Sequence, residues 1–206
     1  RSSIMARTAG FREYCTEFAD AYDEDIDLWF APFADHPSIH YLQGLRDRYH
    51  ISHDAFATLA LHLEKHHRRY CLRENTDYLS DRWAAVDKDS LLLMVNRFYD
   101  DTRFHDFFER HRAFYEDQCR LFTPALLDSL DTPWIERFHG TEGDRFHVLL
   151  AFANGNHNYG PSRSIAGERE NFALAGYVSP RLVTLNGYTL HSLYGDMIVH
   201  EFNHSF

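Results

Sequence analysis

Leu190-His191-Ser192-Leu193-Tyr194-Gly195-Asp196-Met197-Ile198-Val199-His200-Glu201-Phe202-Asn203-His204-Ser205-Phe206 carries apolar residues at helical spacing and ends in an HExxH. Leu190, Leu193 and Met197 recur at three- and four-residue steps, and the same stripe runs on through His200 to His204. The stretch reads as one amphipathic helix whose paired imidazoles continue its buried face. Phe202 and Phe206 fall on other sides, where they are expected to pack against the rest of the domain.

Histidines one turn apart on the same helix face can grip a single metal ion while the intervening glutamate flanks it. Neutral imidazoles suit zinc, which keeps a position open for water and lowers the pKa of that water towards neutrality. His200 and His204 are therefore the expected metal ligands, and Zn2+ the expected cofactor. Glu201 is the expected general base. Offset by one residue from His200, it reaches the water from the side, takes its proton and hands it to the leaving amine. The pattern points to a zinc metallopeptidase acting on a peptide or protein substrate. The third ligand is expected beyond Phe206, so the HExxH helix reads as truncated at its C-terminal side.

Upstream of this helix the texture is that of strands. Phe146 to Phe152 is a short apolar run rich in β-formers, read as a buried strand, and Phe172 to Val178 is a second. Between them Asn154-Gly155-Asn156-His157-Asn158-Tyr159-Gly160-Pro161 reads as a loop. Strands ahead of an HExxH helix matter because zincin-type peptidases hold an extended substrate against a sheet edge by backbone hydrogen bonds. Tyr159, His157 and Tyr177 are the candidate donors to a developing oxyanion or to substrate. An ordinary turn remains the alternative reading of the loop.

The front half reads as helices. Asp25 to about Ala31 forms a short one that Pro32 ends, Pro37 opens the next through about Tyr49, and Ser52 caps a third from Ala55 to about His66. His62 and His66 in that third helix match a metal pair formally, yet a solvated or capping role fits them better. Asp87 to Tyr99 and Phe104 to about Phe122 follow as core helices. Pro124 and Pro133 mark later helix starts or turns. The acidic run Asp20-Ala21-Tyr22-Asp23-Glu24-Asp25-Ile26-Asp27 lacks the glycine and spacing of a calcium loop and reads as a solvated helix start.

A formal charge of −10 over 206 residues argues against nucleic acid as a partner, since phosphate binding needs a basic face. The chain is long enough to bury a core without disulfides, and no stretch of it is expected to span a membrane. Cys15, Cys71 and Cys119 are far apart and odd in number, so they read as small buried hydrophobes rather than a scaffold. The first residue is Arg1, which suggests that a leader or upstream segment precedes it.

Three segments together carry a resemblance: Ile198 to Phe206, Gly155 to Pro161, and Asp35-His36-Pro37-Ser38-Ile39. With the Arg97-Phe98-Tyr99-Asp100-Asp101 to Phe107-Phe108 region, they make most of the chain similar to the uncharacterised bacterial domain-of-unknown-function family numbered 4932. The resemblance implies a zincin-like protein with an α-rich front half, extracytoplasmic in the periplasm, on the envelope or secreted. By motif it again implies His200 and His204 as zinc ligands and Glu201 as the catalytic carboxylate.

The expected class is α+β: a mainly helical front half, 1–140, followed in 141–206 by a small sheet and the HExxH helix. Two other readings stay open. One is a catalytically inactive zincin-like envelope module that binds peptide or glycan; the other is a structural domain with two core histidines.

Overall fold

Three aromatic side chains with almost no exposed surface, Phe30, Trp83 and Phe107, belong to the largest hydrophobic core in the computed structural model. The structure describes residues 2–16, 20–127, 130–141 and 143–205. Helices dominate the first two thirds, interrupted by one two-stranded hairpin, and a three-stranded sheet follows, so the class is α+β.

The front half packs α1 (Ser2–Thr8), α2 (Ala21–Phe30), α3 (Pro37–Tyr49), α4 (Asp54–His62), α5 (Lys88–Asp101) and α6 (Phe104–Arg110). Pro37 opens α3 as its sequence requires, because a fixed φ suits the first helical position and the missing N–H has no partner there. The acidic run does start a helix, but four residues earlier than Asp25. Asp20 accepts hydrogen bonds from the Tyr22 and Asp23 amides, and Asp23 accepts one from the Asp20 amide. Nor is the run wholly solvated: Asp23 is buried and paired with the Arg7 guanidinium, which also bonds Asp27. Asp20→Ala is expected to cost about 1 kcal/mol by orphaning these amides, read as a lower midpoint in urea unfolding.

α4 is shorter than its apolar pattern suggests. Its N-cap is His53 rather than Ser52, and the chain leaves the helix after His62 to form β1 (Leu63–His66), paired antiparallel with β2 (Arg69–Leu72). His62 is fully buried rather than solvated, its ring nitrogens 2.7 and 2.8 Å from the carbonyl oxygens of Thr58 and Asp77. The expected Phe104–Phe122 helix is broken at His111 into α6 and α7 (Arg112–Leu127), and Pro124 lies inside α7 instead of opening a helix. α8 (Thr132–His139) begins with Pro133 in its first turn.

The sheet has the order β3 (Arg145–Ala151), β5 (Glu168–Gly176), β4 (Ser162–Ile165). β3 runs parallel to β5, whereas β4 and β5 form a hairpin through Ala166 and Gly167, both at positive φ. The buried strand is β5. β3, expected to be buried, is a half-exposed edge, because β4 takes the other side of β5.

α9 (Pro180–Leu185) and α10 (Leu190–Asn203) complete the chain. The second core joins Phe122, Leu126 and Ile135 of α7 and α8 to Ala173, Ala175 and Tyr177 on and after β5, and to Tyr194, Ile198 and Phe202 of α10. Among the described residues no helix is long and apolar enough to cross a membrane. The cysteines are not buried: Cys15 and Cys119 are exposed and Cys71 is half-buried.

Candidate metal centre

α10 begins with a reciprocal cap in which Thr189 Oγ1 accepts from the Ser192 amide and Ser192 Oγ accepts from the Thr189 amide, each at 3.0 Å. Tyr194 fixes its rotation, donating to the Gly176 carbonyl oxygen at 2.9 Å and accepting from the Val178 amide at 3.0 Å. Ile198 and Phe202, both 0 % exposed, then drive into the second core, with the Phe202 ring edge-on to Phe146.

This rotation corrects the expected face. Tyr194, Ile198, Glu201 and Phe202 are the buried residues of α10, while Leu193 and Met197 are only half-buried and His200 and His204 are exposed. Tyr194 and Phe202 are larger than the leucines and carry the burial, so the imidazoles sit at the rim, one step round the helix. They open into a cleft of about 730 Å³ lined also by Glu201, Tyr159, Gly160, Ser162 and, opposite, Asp54, Thr58, Tyr78 and Ser80. Phe206, expected to pack, lies outside the described residues.

The two rings converge. His200 Nε2 and His204 Nε2 are 3.0 Å apart, with ring planes at 89°. A tetrahedral ion about 2.1 Å from both nitrogens holds them roughly 3.4 Å apart. An opening of a few tenths of an ångström, within the reach of two exposed side chains, accommodates zinc, so the donor pair fits the metal. Among the described residues, no third His, Cys, Asp or Glu offers a ligand atom within 4.8 Å of both.

Glu201 is 6 % exposed. Burial pushes its carboxyl above the usual carboxylate range, and the neighbouring His204 and His200 offset only part of that rise. A carboxylate that holds a proton more readily than usual suits a proton carrier.

The loop before β4 is not an ordinary turn. Tyr159 pairs with Leu174 through two backbone hydrogen bonds of 2.8 and 3.1 Å, and the Pro161 carbonyl oxygen accepts from the Phe172 amide, so 159–165 extends the sheet edge into the cleft. Asn158 Oδ1 accepts from the Gly176 amide at 2.8 Å, and Gly155 and Gly176 let the loop pack closely where a Cβ would strike backbone oxygens. Of the three candidate donors, only Tyr159 reaches the cleft. Burial pushes its hydroxyl up to about 12, and it lies beside the Tyr14 hydroxyl, which donates to the His53 carbonyl oxygen. His157 is exposed and faces the His53 ring instead. Tyr177 belongs to the second core, where its ring lies edge-on to Phe114 and tilted against Phe152 and its hydroxyl donates to Gln118.

The opposite wall was not legible beforehand. Asp54 is paired with Arg82, whose Nε donates to Ser80 Oγ, and the Ser80 amide donates to Thr58 Oγ1. His53, just before Asp54, has φ 48° and ψ −124°, a strained conformation at the cleft margin that no local sequence signal announces. No curated protein and no solved structure matches the chain. A family described as "Domain of unknown function (DUF4932)" matches residues 2–206, and the chain belongs to it.

Proposed function

We propose that this chain is a zinc-dependent hydrolase of peptide bonds, with His200 and His204 as ligands and Glu201 as general base. The convergence of the two imidazoles, 3.0 Å apart beside a buried glutamate in an open cleft, is the observation that carries this reading.

When bound, zinc supplies positive charge that polarises the scissile carbonyl and acidifies a water. His200 and His204 orient that site from the cleft rim. Glu201 accepts a proton from the attacking water and delivers it to the departing amine, and its burial strengthens its hold on the proton between those events. The Tyr159 hydroxyl stays protonated at neutral pH and is buried in the cleft wall with no hydrogen-bond partner among the described residues, so a small side-chain rotation into the cleft makes it a donor to the developing oxyanion. Ser162 lines the cleft at the start of β4, an outer strand of the sheet, so an extended peptide can lie along that edge by backbone pairing.

Zinc content and cleavage of an unfolded protein substrate test the reading together. The His200→Ala/His204→Ala double variant is expected to hold one zinc fewer than the parent and to lose cleavage. Chelation is expected to stop cleavage by the parent and added zinc to restore it. Undiminished cleavage by the double variant would overturn the proposal. Retained peptide binding with no cleavage by the zinc-loaded parent would favour the binding module instead.

A further inference from the structure

A second cluster of metal-ligating side chains lies on the β1–β2 hairpin, apart from the cleft. We infer that Glu64, His66 and Cys71 form a second site for a divalent transition ion of the zinc class. Their ligand atoms all lie within 4.8 Å of one another.

The hairpin register produces this grouping. Glu64 is directly opposite Cys71 across the antiparallel pair, and His66 is two residues along the same strand, so all three side chains share one face. The alternate face is spoken for: Lys65 donates to the Tyr99 hydroxyl at 2.8 Å, and Tyr70 is buried. Asn96 of α5 holds β2 through the Tyr70 amide and carbonyl groups at 2.7 and 2.9 Å, fixing the strand that presents Cys71. The scaffold is therefore set by packing on the far side, and the three ligands need only side-chain rotation to close on an ion.

Within the cluster, His66 Nε2 is 2.7 Å from Glu64 Oε1. Arg73 Nη1 pairs with the other carboxylate oxygen at 3.0 Å, which leaves Oε1 for the ion and orients the carboxylate from behind. Zinc bound by one oxygen or nitrogen and one sulfur holds them about 3.6 Å apart, so movements on the order of 1 Å complete the shell. A mixed carboxylate, imidazole and thiolate set selects zinc-class ions over calcium or magnesium. Three protein ligands leave the fourth tetrahedral position to solvent or an outside ligand. The ion would bridge β1 to β2 and clamp the hairpin. From there the chain returns to the cleft at Tyr78 and Ser80.

Cobalt(II) separates this site from the cleft, since only a thiolate ligand gives a sulfur-to-cobalt charge-transfer band in the near ultraviolet. Titration of the full, reduced chain with cobalt is expected to raise that band to saturation within two equivalents, the cleft taking up the other ion. Cys71→Ser is expected to abolish it, and the His200→Ala/His204→Ala double variant to retain it. His66→Ala, an exposed change that spares the fold, is expected to weaken cobalt binding at this site by at least about tenfold, since loss of even an outer partner costs that much. Absence of the band in the parent, or its persistence in Cys71→Ser, would overturn the assignment. A His66→Ala titration identical to the parent's would do so as well. The readout does not depend on peptide cleavage, so this site and the proposed activity stand or fall separately.

Discussion

Glu201→Gln is expected to lower the rate of peptide cleavage by about 10²–10⁴-fold while zinc stays bound at His200 and His204. Glutamine keeps the shape of glutamate and loses only the ability to take and return a proton. Among the described residues no ion pair engages the Glu201 carboxylate, and burial already disfavours its charged form. Removing that charge therefore leaves the melting temperature unchanged or slightly raised. Cleavage kinetics, zinc content and thermal unfolding of the same preparation check all three points. An unaltered cleavage rate would remove Glu201 as the base. Lost zinc with lost activity would instead mark it as a residue that shapes the site.

Gly160→Ala is expected to break the same site from the backbone side. A Cβ at Gly160 would lie 1.8 Å from the Glu201 carbonyl oxygen, 2.8 Å from its carbonyl carbon and 3.0 Å from His204 Cβ. No rotamer change relieves contact with backbone atoms. Both sides are also anchored: the loop by Tyr159 and Pro161 on β5, the helix end by Phe202 in the core and by Ser205 Oγ donating to the Gly160 carbonyl oxygen at 3.2 Å. One of them must yield. The expected cost is about 3 kcal/mol or more, at the upper end of overpacking effects, with His204 displaced and zinc affinity lost. Gly44→Ala is the control. An added Cβ meets nothing within 4 Å there, and Gly44 lies inside α3, so it is expected to gain roughly 0.5–1 kcal/mol. Urea unfolding and zinc titration of both variants measure the contrast, and equal stability of Gly160→Ala and the parent would contradict the close crossing.

Much of the helical framework was legible because its signals are local. Pro37 before an amphipathic run places α3 over Pro37–Tyr49, and Asp87 caps α5 through the Ser90 amide. The failures have equally definite causes. The apolar stripe of α4 continues past His62, but pairing with β2 draws Leu63 to His66 into a strand, a competition decided by residues several positions away. Pro124 is a local stop signal, yet α7 runs through it, with Phe122 and Leu126 on either side buried in the second core.

For the site, the sequence by itself determined the chemistry on offer. The four-residue spacing of His200 and His204, with Glu201 between them, follows from helix geometry and needs no partner. Tertiary structure alone decided which way that helix turns, that Tyr159 rather than His157 or Tyr177 enters the cleft, and that Asp54, Thr58, Tyr78 and Ser80 form the facing wall. Helical periodicity and capping are written in neighbouring residues, whereas burial and cleft walls depend on contacts between segments tens of positions or more apart. No short-range pattern encodes those contacts.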